Sequence, residues 1–152
     1  MKGRFFSIGA FFAVVSLSTP VYAEGGGDDS ICPKHSHQRT AAQVLQAHLT
    51  AFQAGNAELV GCDYARDAVF MMPGAVARGR ENIEATFAPF LAVAGANIHV
   101  ATHSLTIADD VALFEYSVDS DHVVVSDGID TLVIDNGLIV AHTARLGGLS
   151  FK

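Results

Sequence analysis

The chain has 152 residues, half of them hydrophobic, with nine Lys/Arg against sixteen Asp/Glu and a formal net charge of −7. That length makes one domain around a single adequate core. An acidic chain without a basic patch excludes nucleic acid as a partner, because affinity for phosphate backbones comes from clustered Lys and Arg.

The first predicted element is an export signal. Met1-Lys2-Gly3-Arg4 is a basic start, Phe5 to Leu17 is an apolar run, and Thr19-Pro20-Val21-Tyr22-Ala23 ends in small residues at the cleavage positions. These parts predict a signal peptide over residues 1–23, cut after Ala23. At well under about 18 residues the run is too short to span a bilayer, so a periplasmic or secreted protein with no membrane association is expected after cleavage. Losing Lys2 and Arg4 leaves seven Lys/Arg against sixteen Asp/Glu, a formal charge of −9.

Residues 24–39 are rich in Gly, Asp and Ser without periodicity and read as a flexible leader. In an oxidising compartment the two cysteines, Cys32 and Cys62, read as one disulfide. Such a loop closure is worth about 3–4 kcal/mol in the chain-entropy model. Cys32, His35 and His37 also offer thiolate and imidazole, but their spacing matches no standard zinc site. No metal and no cofactor is expected.

The folded domain is read over residues 40–152. Thr40 and Gln43 have the spacing of a capping box, and Val44, Leu45, His48, Leu49 and Phe52 then fall on one helical stripe. Gly55 stops that helix and Asn56 caps a second, short one through Leu59, Val60 and Tyr64. Asp67 to Pro73 is a short strand, ended by proline. A third helix starts near Arg80, with Ile83, Phe87 and Leu91 inward and Pro89 expected to kink or shorten it. Four β-rich runs follow: Ile98–Ile107, Val111–Val118, His122–Ile134 and Leu138–Leu146. The last two flank Asp135-Asn136-Gly137, a strong hairpin signal. Helices first and a strand meander last imply an α+β fold, with three N-terminal helices packed on the concave face of a curved antiparallel sheet.

The local sequence carries a resemblance. Leu49-Thr-Ala-Phe-Gln-Ala-Gly-Asn56, Asp63-Tyr-Ala-Arg-Asp-Ala-Val-Phe70, Gly79-Arg-Glu-Asn-Ile83 and Asp135-Asn-Gly-Leu-Ile-Val140 resemble SnoaL-like and ketosteroid isomerase-like domains of the nuclear transport factor 2-like superfamily. The resemblance covers Thr40 to about Gly147 and implies a conical α+β barrel with a ligand pocket between helices and sheet. That fold carries many chemistries, so function rests on the site. Where the isomerases place a carboxylate base, before the Pro of the short strand, this chain has Met72, which takes no proton. The resemblance aligns His48 with the oxyanion-hole tyrosine, Asp127 with the second acidic donor, and Tyr64 with a tyrosine ending the second helix. It sets Glu115 and His142 at pocket-lining positions. The turn at residues 135–137 is shorter than in those enzymes, and a one-residue slip would turn Asp127 outward and Asp130 inward.

His48, Asp127 and Glu115 are thus the candidate acid–base residues, and Tyr64, Phe70, Met72, Phe87 and His142 the candidate ligand contacts. His48 interrupts an apolar stripe, so it needs a partner: a backbone carbonyl, Asp127 or a ligand. Glu115 is either a buried carboxyl with a raised pKa or a solvated strand charge. His99 and His103, four apart in a strand, and Arg145 near the C-terminus read as surface residues. The expected function is binding of a small apolar molecule, with a cofactor-independent isomerase, dehydratase or hydrolase as the second reading. The third is a dimeric assembly module, with Phe114, Tyr116 and Val118 as the homodimer surface. No Gly-rich phosphate loop or nucleophile elbow is present.

Overall fold

The structure, a computed structural model, describes Cys32 and residues 39–152. The signal peptide, most of the leader, His35 and His37 lie outside the described residues.

Helix α1 (Ala41–Gln53) opens with the expected capping box. The Gln43 N–H donates to Thr40 Oγ1 at 3.3 Å, and the Thr40 N–H to Gln43 Oε1 at 2.9 Å. Ala41, Val44, Leu45, His48 and Ala51 form its buried stripe. Asn56 caps α2 (Ala57–Cys62) by accepting from the Leu59 N–H at 2.9 Å. Strand β1 (Tyr64–Met72) then turns at Pro73-Gly74 into β2 (Ala75–Arg78), a hairpin partner that periodicity did not reveal in so short a segment. Helix α3 (Arg80–Ala94) runs unbroken through Pro89. The proline ring removes one ladder donor, but Pro89 and Ala85, whose carbonyl loses that partner, are both exposed to water. The helix is therefore not shortened.

The meander follows as β3 (His99–Ala108), β4 (Val111–Asp119), β5 (Val123–Asp135) and β6 (Leu138–Gly147), with a short β7 (Ser150–Phe151) returning to β5. Asn136 and Gly137 both take positive φ, 49° and 73°, as a tight hairpin turn requires. The sheet order is β2-β1-β6-β5-β4-β3. The sheet is curved, open and mixed rather than wholly antiparallel, because β1 lies parallel to β6. β1 joins the meander at the β6 edge, with β2 outside it and β3 at the opposite edge.

The core lies between the helices and the inner face of the sheet, around Val44, Val60, Tyr64, Ile83, Phe114 and Leu132. Cys32 and Cys62 are joined in a disulfide, as expected. Arg39, expected in the flexible leader, is instead anchored. Its Nη1 meets Asp63 Oδ1 at 2.7 Å, while Nε and Nη2 donate to the Gly137 carbonyl at 2.9 and 2.6 Å. Among the described residues no helix is long and apolar enough to cross a membrane.

Candidate functional site

A cavity of about 100 Å³ lies between α1, α3 and the inner face of the sheet. Its walls are aromatic: Phe52 from α1, Phe70 from β1, Phe87 and Phe90 from α3, Phe114 and Tyr116 from β4. Met72 also lines it. The polar groups in the wall are His48, Thr86, Asp130 and His142.

Strand parity explains which residues reach it. In β4, Ala112, Phe114, Tyr116 and Val118 face inward, and Glu115 between them is exposed. Glu115 therefore stands on the outer face and not in the pocket, and Phe114, Tyr116 and Val118 do not form an outer dimer surface. In β5 the pairing slips: Val118 opposes Val125 but Tyr116 opposes Gly128, so Ser126-Asp127 carries one extra residue. Such a bulge reverses the inward–outward alternation. Val123 and Val125 face inward before it; Gly128, Asp130, Leu132 and Ile134 do so after it. Asp127 is thereby turned out, 65% exposed, and pairs with Arg145 at 2.8 Å. Asp130, kept as the alternative, is the carboxylate in the pocket. A similar slip in β6 between Ile139 and Ala141 brings His142 inward.

The inward groups form one hydrogen-bonded chain. The Tyr64 hydroxyl meets His142 Nδ1 at 2.5 Å, and His142 Nε2 meets Asp130 Oδ2 at 3.0 Å. The Tyr116 hydroxyl donates to Asp130 Oδ1 at 3.1 Å. With the imidazole neutral, Nε2–H donates to the carboxylate and Nδ1 accepts from Tyr64. Burial, and then the nearby Asp130 charge, push both tyrosine hydroxyls upward from the ordinary phenol range, so both remain protonated. Tyr64 is thus placed behind His142, as its partner, rather than in the cavity wall. Gly128 makes the arrangement possible: a Cβ there would lie 2.5 Å from Tyr116 Cζ, so the ring fits only over a bare backbone.

His48 sits beside this chain and outside it. Its ring centroid is 5.6 Å from that of His142, 5.7 Å from Tyr64 and 5.9 Å from Phe87. It is buried, and its Nδ1 has no hydrogen-bond partner among the described residues. Burial, reinforced by His142, lowers its pKa from 6.5 to about 3, leaving a neutral ring. The expected partner Asp127 is on the other face of the sheet.

Of the candidate residues, His48, Phe70, Met72, Phe87 and His142 line the cavity, and Glu115 and Asp127 do not. Sequence reasoning missed Phe52, Phe90, Phe114 and Tyr116 as lining residues. Phe52 lay on the helical stripe already recognised, and the alternation of Phe114, Tyr116 and Val118 was the signal that they share one face. His103 bonds Ser117 at 3.0 Å on the exposed surface. Among the described residues, no group of three or more His, Cys, Asp or Glu converges to hold a metal ion.

Residues 45–142 match the family model of the SnoaL-like domain. No curated protein matches the chain. Solved structures show the same fold at low identity. An NTF-2 like protein of unknown function from Burkholderia xenovorans LB400 is 19% identical, covering 70% of this chain and 82% of its own at a TM-score of 0.58. A SnoaL-like protein of unknown function from Burkholderia thailandensis E264 is 15% identical, covering 71% and 94% at 0.59. A protein with a ketosteroid isomerase-like fold from Catenulispora acidiphila DSM 44928, in complex with trimethylamine, is 19% identical, covering 70% and 86% at 0.57.

Proposed function

The chain belongs to the SnoaL-like domain family, and from that premise we propose that it binds a small, largely apolar molecule in the cavity between α1, α3 and the sheet. The observation that carries this reading is the aromatic cavity ending in the buried Tyr64–His142–Asp130–Tyr116 chain. Desolvating such a set costs free energy that an all-apolar core would not incur, and an apolar pocket with a few placed polar groups is the usual form of a ligand site. The volume sets the scale. About 100 Å³ falls below the roughly 300 Å³ of a drug-sized site, so the ligand is a small one. The ketosteroid isomerase-like neighbour that holds trimethylamine fits that scale.

The test is a thermal-shift panel of single-ring compounds, small lactones and small esters on the disulfide-intact protein. A ligand at about a hundred times its Kd should add roughly 2.7 kcal/mol of stability. Ala144→Leu, which fills the cavity, should remove the shift. A panel without a single saturable shift would sink the reading.

A second reading is favoured by one observation. Asp130 faces the cavity with a donor on each oxygen, which fixes its orientation as a general base toward a bound molecule. In that reading the protein is a cofactor-independent isomerase, dehydratase or hydrolase, and Asp130→Asn abolishes turnover while ligand still binds. Survival of turnover in that variant would reject it.

Export and pairing complete the proposal. The basic–apolar start of the sequence and the Cys32–Cys62 disulfide support a periplasmic or secreted protein; N-terminal sequencing of the exported form should begin at Glu24. A homodimer is supported by the outer face of the sheet, where Met71, Val111, Leu113 and Val133 are exposed. Pairing aligns Met71, Thr143, Thr131 and Leu113 in one row across that face. Sedimentation that shows only monomer at high concentration would reject the dimer.

A further inference from the structure

The cavity carries a charge that its own walls do not balance. Asp130 is the carboxylate among its lining residues, and no Lys or Arg stands with it there. The groups that reach its oxygens, the Tyr116 hydroxyl on Oδ1 and His142 Nε2 on Oδ2, satisfy its hydrogen bonding but not its charge. The tyrosine is neutral. The histidine is neutral as well: among the described residues its Nδ1 is the acceptor that the Tyr64 hydroxyl has, and a proton on that nitrogen would leave the hydroxyl without one. His48, the other imidazole in the wall, is kept neutral by burial. The charge of Asp130 is felt along the network, since it is among the causes that push both tyrosine hydroxyls upward. Buried charges in proteins are normally paired, and this one has no partner of opposite sign in the wall.

We propose that the cavity takes a small, fully alkylated ammonium group, with Asp130 as its counter-charge and the aromatic walls packed on its methyl groups. This rests on the reading of the cavity as a small-molecule site and names the class of ligand; a surface of methyl groups keeps that ligand largely apolar. Three observations bear on it. The first is the wall. Phe52, Phe70, Phe87, Phe90, Phe114 and Tyr116 surround the space, and aromatic rings attract a desolvated cation through their quadrupoles. The second is the state of Asp130. With a donor already on each oxygen, it offers charge rather than an empty acceptor. A primary ammonium would bring three N–H donors to a carboxylate so occupied, whereas a fully alkylated nitrogen has no N–H to satisfy. The third is size. A dry cavity of roughly 150 Å³ takes benzene, and about 100 Å³ suits a compact head group rather than a fused ring system. An anion would be repelled by the same carboxylate.

The experiment compares, by calorimetry on the disulfide-intact protein, choline with 3,3-dimethylbutan-1-ol, which has the same shape and carbon in place of the charged nitrogen. Toluene is the control for the cavity itself. Three variants are measured beside wild type. Asp130→Asn removes the charge in the wall and keeps its shape. Asp127→Asn removes one charge from the outer face, where the side chain is 65% exposed, and so reports any general attraction of an acidic surface for cations. Phe90→Leu takes one ring from the wall without touching the hydrogen-bonded chain, and its result stands even where Asp130→Asn fails to fold. Choline is expected to bind about tenfold or more tighter than the alcohol. That gap should close in Asp130→Asn, with the alcohol's affinity kept, narrow in Phe90→Leu and survive in Asp127→Asn. If the alcohol or toluene binds and choline gains nothing, the inference is overturned while the pocket reading stands. A gap that survives in folded Asp130→Asn, that Phe90→Leu leaves unchanged, or that Asp127→Asn abolishes overturns it too. If choline, the alcohol and toluene all fail to bind, the pocket reading falls and the inference falls with it.

Discussion

His48 is a buried histidine with an unpaired ring nitrogen, and it makes a prediction about acid stability. Burial, with a second contribution from His142, takes its pKa from 6.5 down to about 3. Below about pH 6.5 the unfolded chain therefore binds a proton that the folded chain refuses, and stability falls as the pH drops through this window. At ~1.36 kcal/mol per pH unit, the loss reaches roughly 3 kcal/mol by about pH 4. Urea unfolding at neutral pH and near pH 4 should show that loss in wild type, and His48→Leu should lose about 3 kcal/mol less over the same interval. Equal losses in the two proteins would mean that His48 is protonated in the fold. The residue was legible in the sequence because a polar group on a strict apolar stripe must be explained. That the inward carboxylate pairs with His142 and Tyr116 rather than with His48 was not legible, because it depended on which residues of β5 and β6 the sheet turns inward.

Elements were legible where local chemistry decides them. The Thr40–Gln43 capping box, the Asn56 cap and the Asn136-Gly137 hairpin turn are short-range features, and each is found where the residues place it. The β2 strand was missed because Ala75–Arg78 is too short to show alternation, and β7 for the same reason. The bulge at Ser126-Asp127 matters most for the site, since one extra residue exchanges Asp127 for Asp130. Nothing within β5 itself announces it; the close fit of Tyr116 over Gly128, set by the neighbouring strand, belongs to the same register. The exchange is testable. Asp127 and Arg145 form an exposed pair, worth about 0–1 kcal/mol, so Asp127→Asn should leave chemical denaturation within roughly 0.5 kcal/mol of wild type, and Glu115→Gln likewise. Asp130→Ala strands the Tyr116 hydroxyl and His142 Nε2 in the core and should cost about 2–4 kcal/mol. Comparable costs at Asp127 and Asp130 would contradict the register.

At the scale of the whole molecule, the fold class was legible because helical and strand periodicities are segregated along the chain. The parallel joint between β1 and β6 was not, since pairing between segments so far apart in sequence is fixed by closure of the layers rather than by either strand. The N-terminal edge of the domain is tied down twice, by the disulfide to Cys62 and by Arg39 on Asp63 and the Gly137 carbonyl. With a sequence separation of 30 between the cysteines, the disulfide should contribute about 3.5 kcal/mol. Reduction should therefore lower Tm by several degrees and still leave a folded domain, because the capped α1 and the core it packs on do not depend on the bond. Complete unfolding on reduction at room temperature would show that the core is weaker than its packing implies.

The central claim is that the aromatic cavity is a ligand site, and its most direct measurement is an NMR titration of the intact protein with toluene, following side-chain signals. The account predicts saturable shifts at His48, Phe87 and His142, with the outer-face residues Met71 and Leu113 unmoved. Absence of saturable shifts, or shifts centred on the outer face of the sheet, would contradict it.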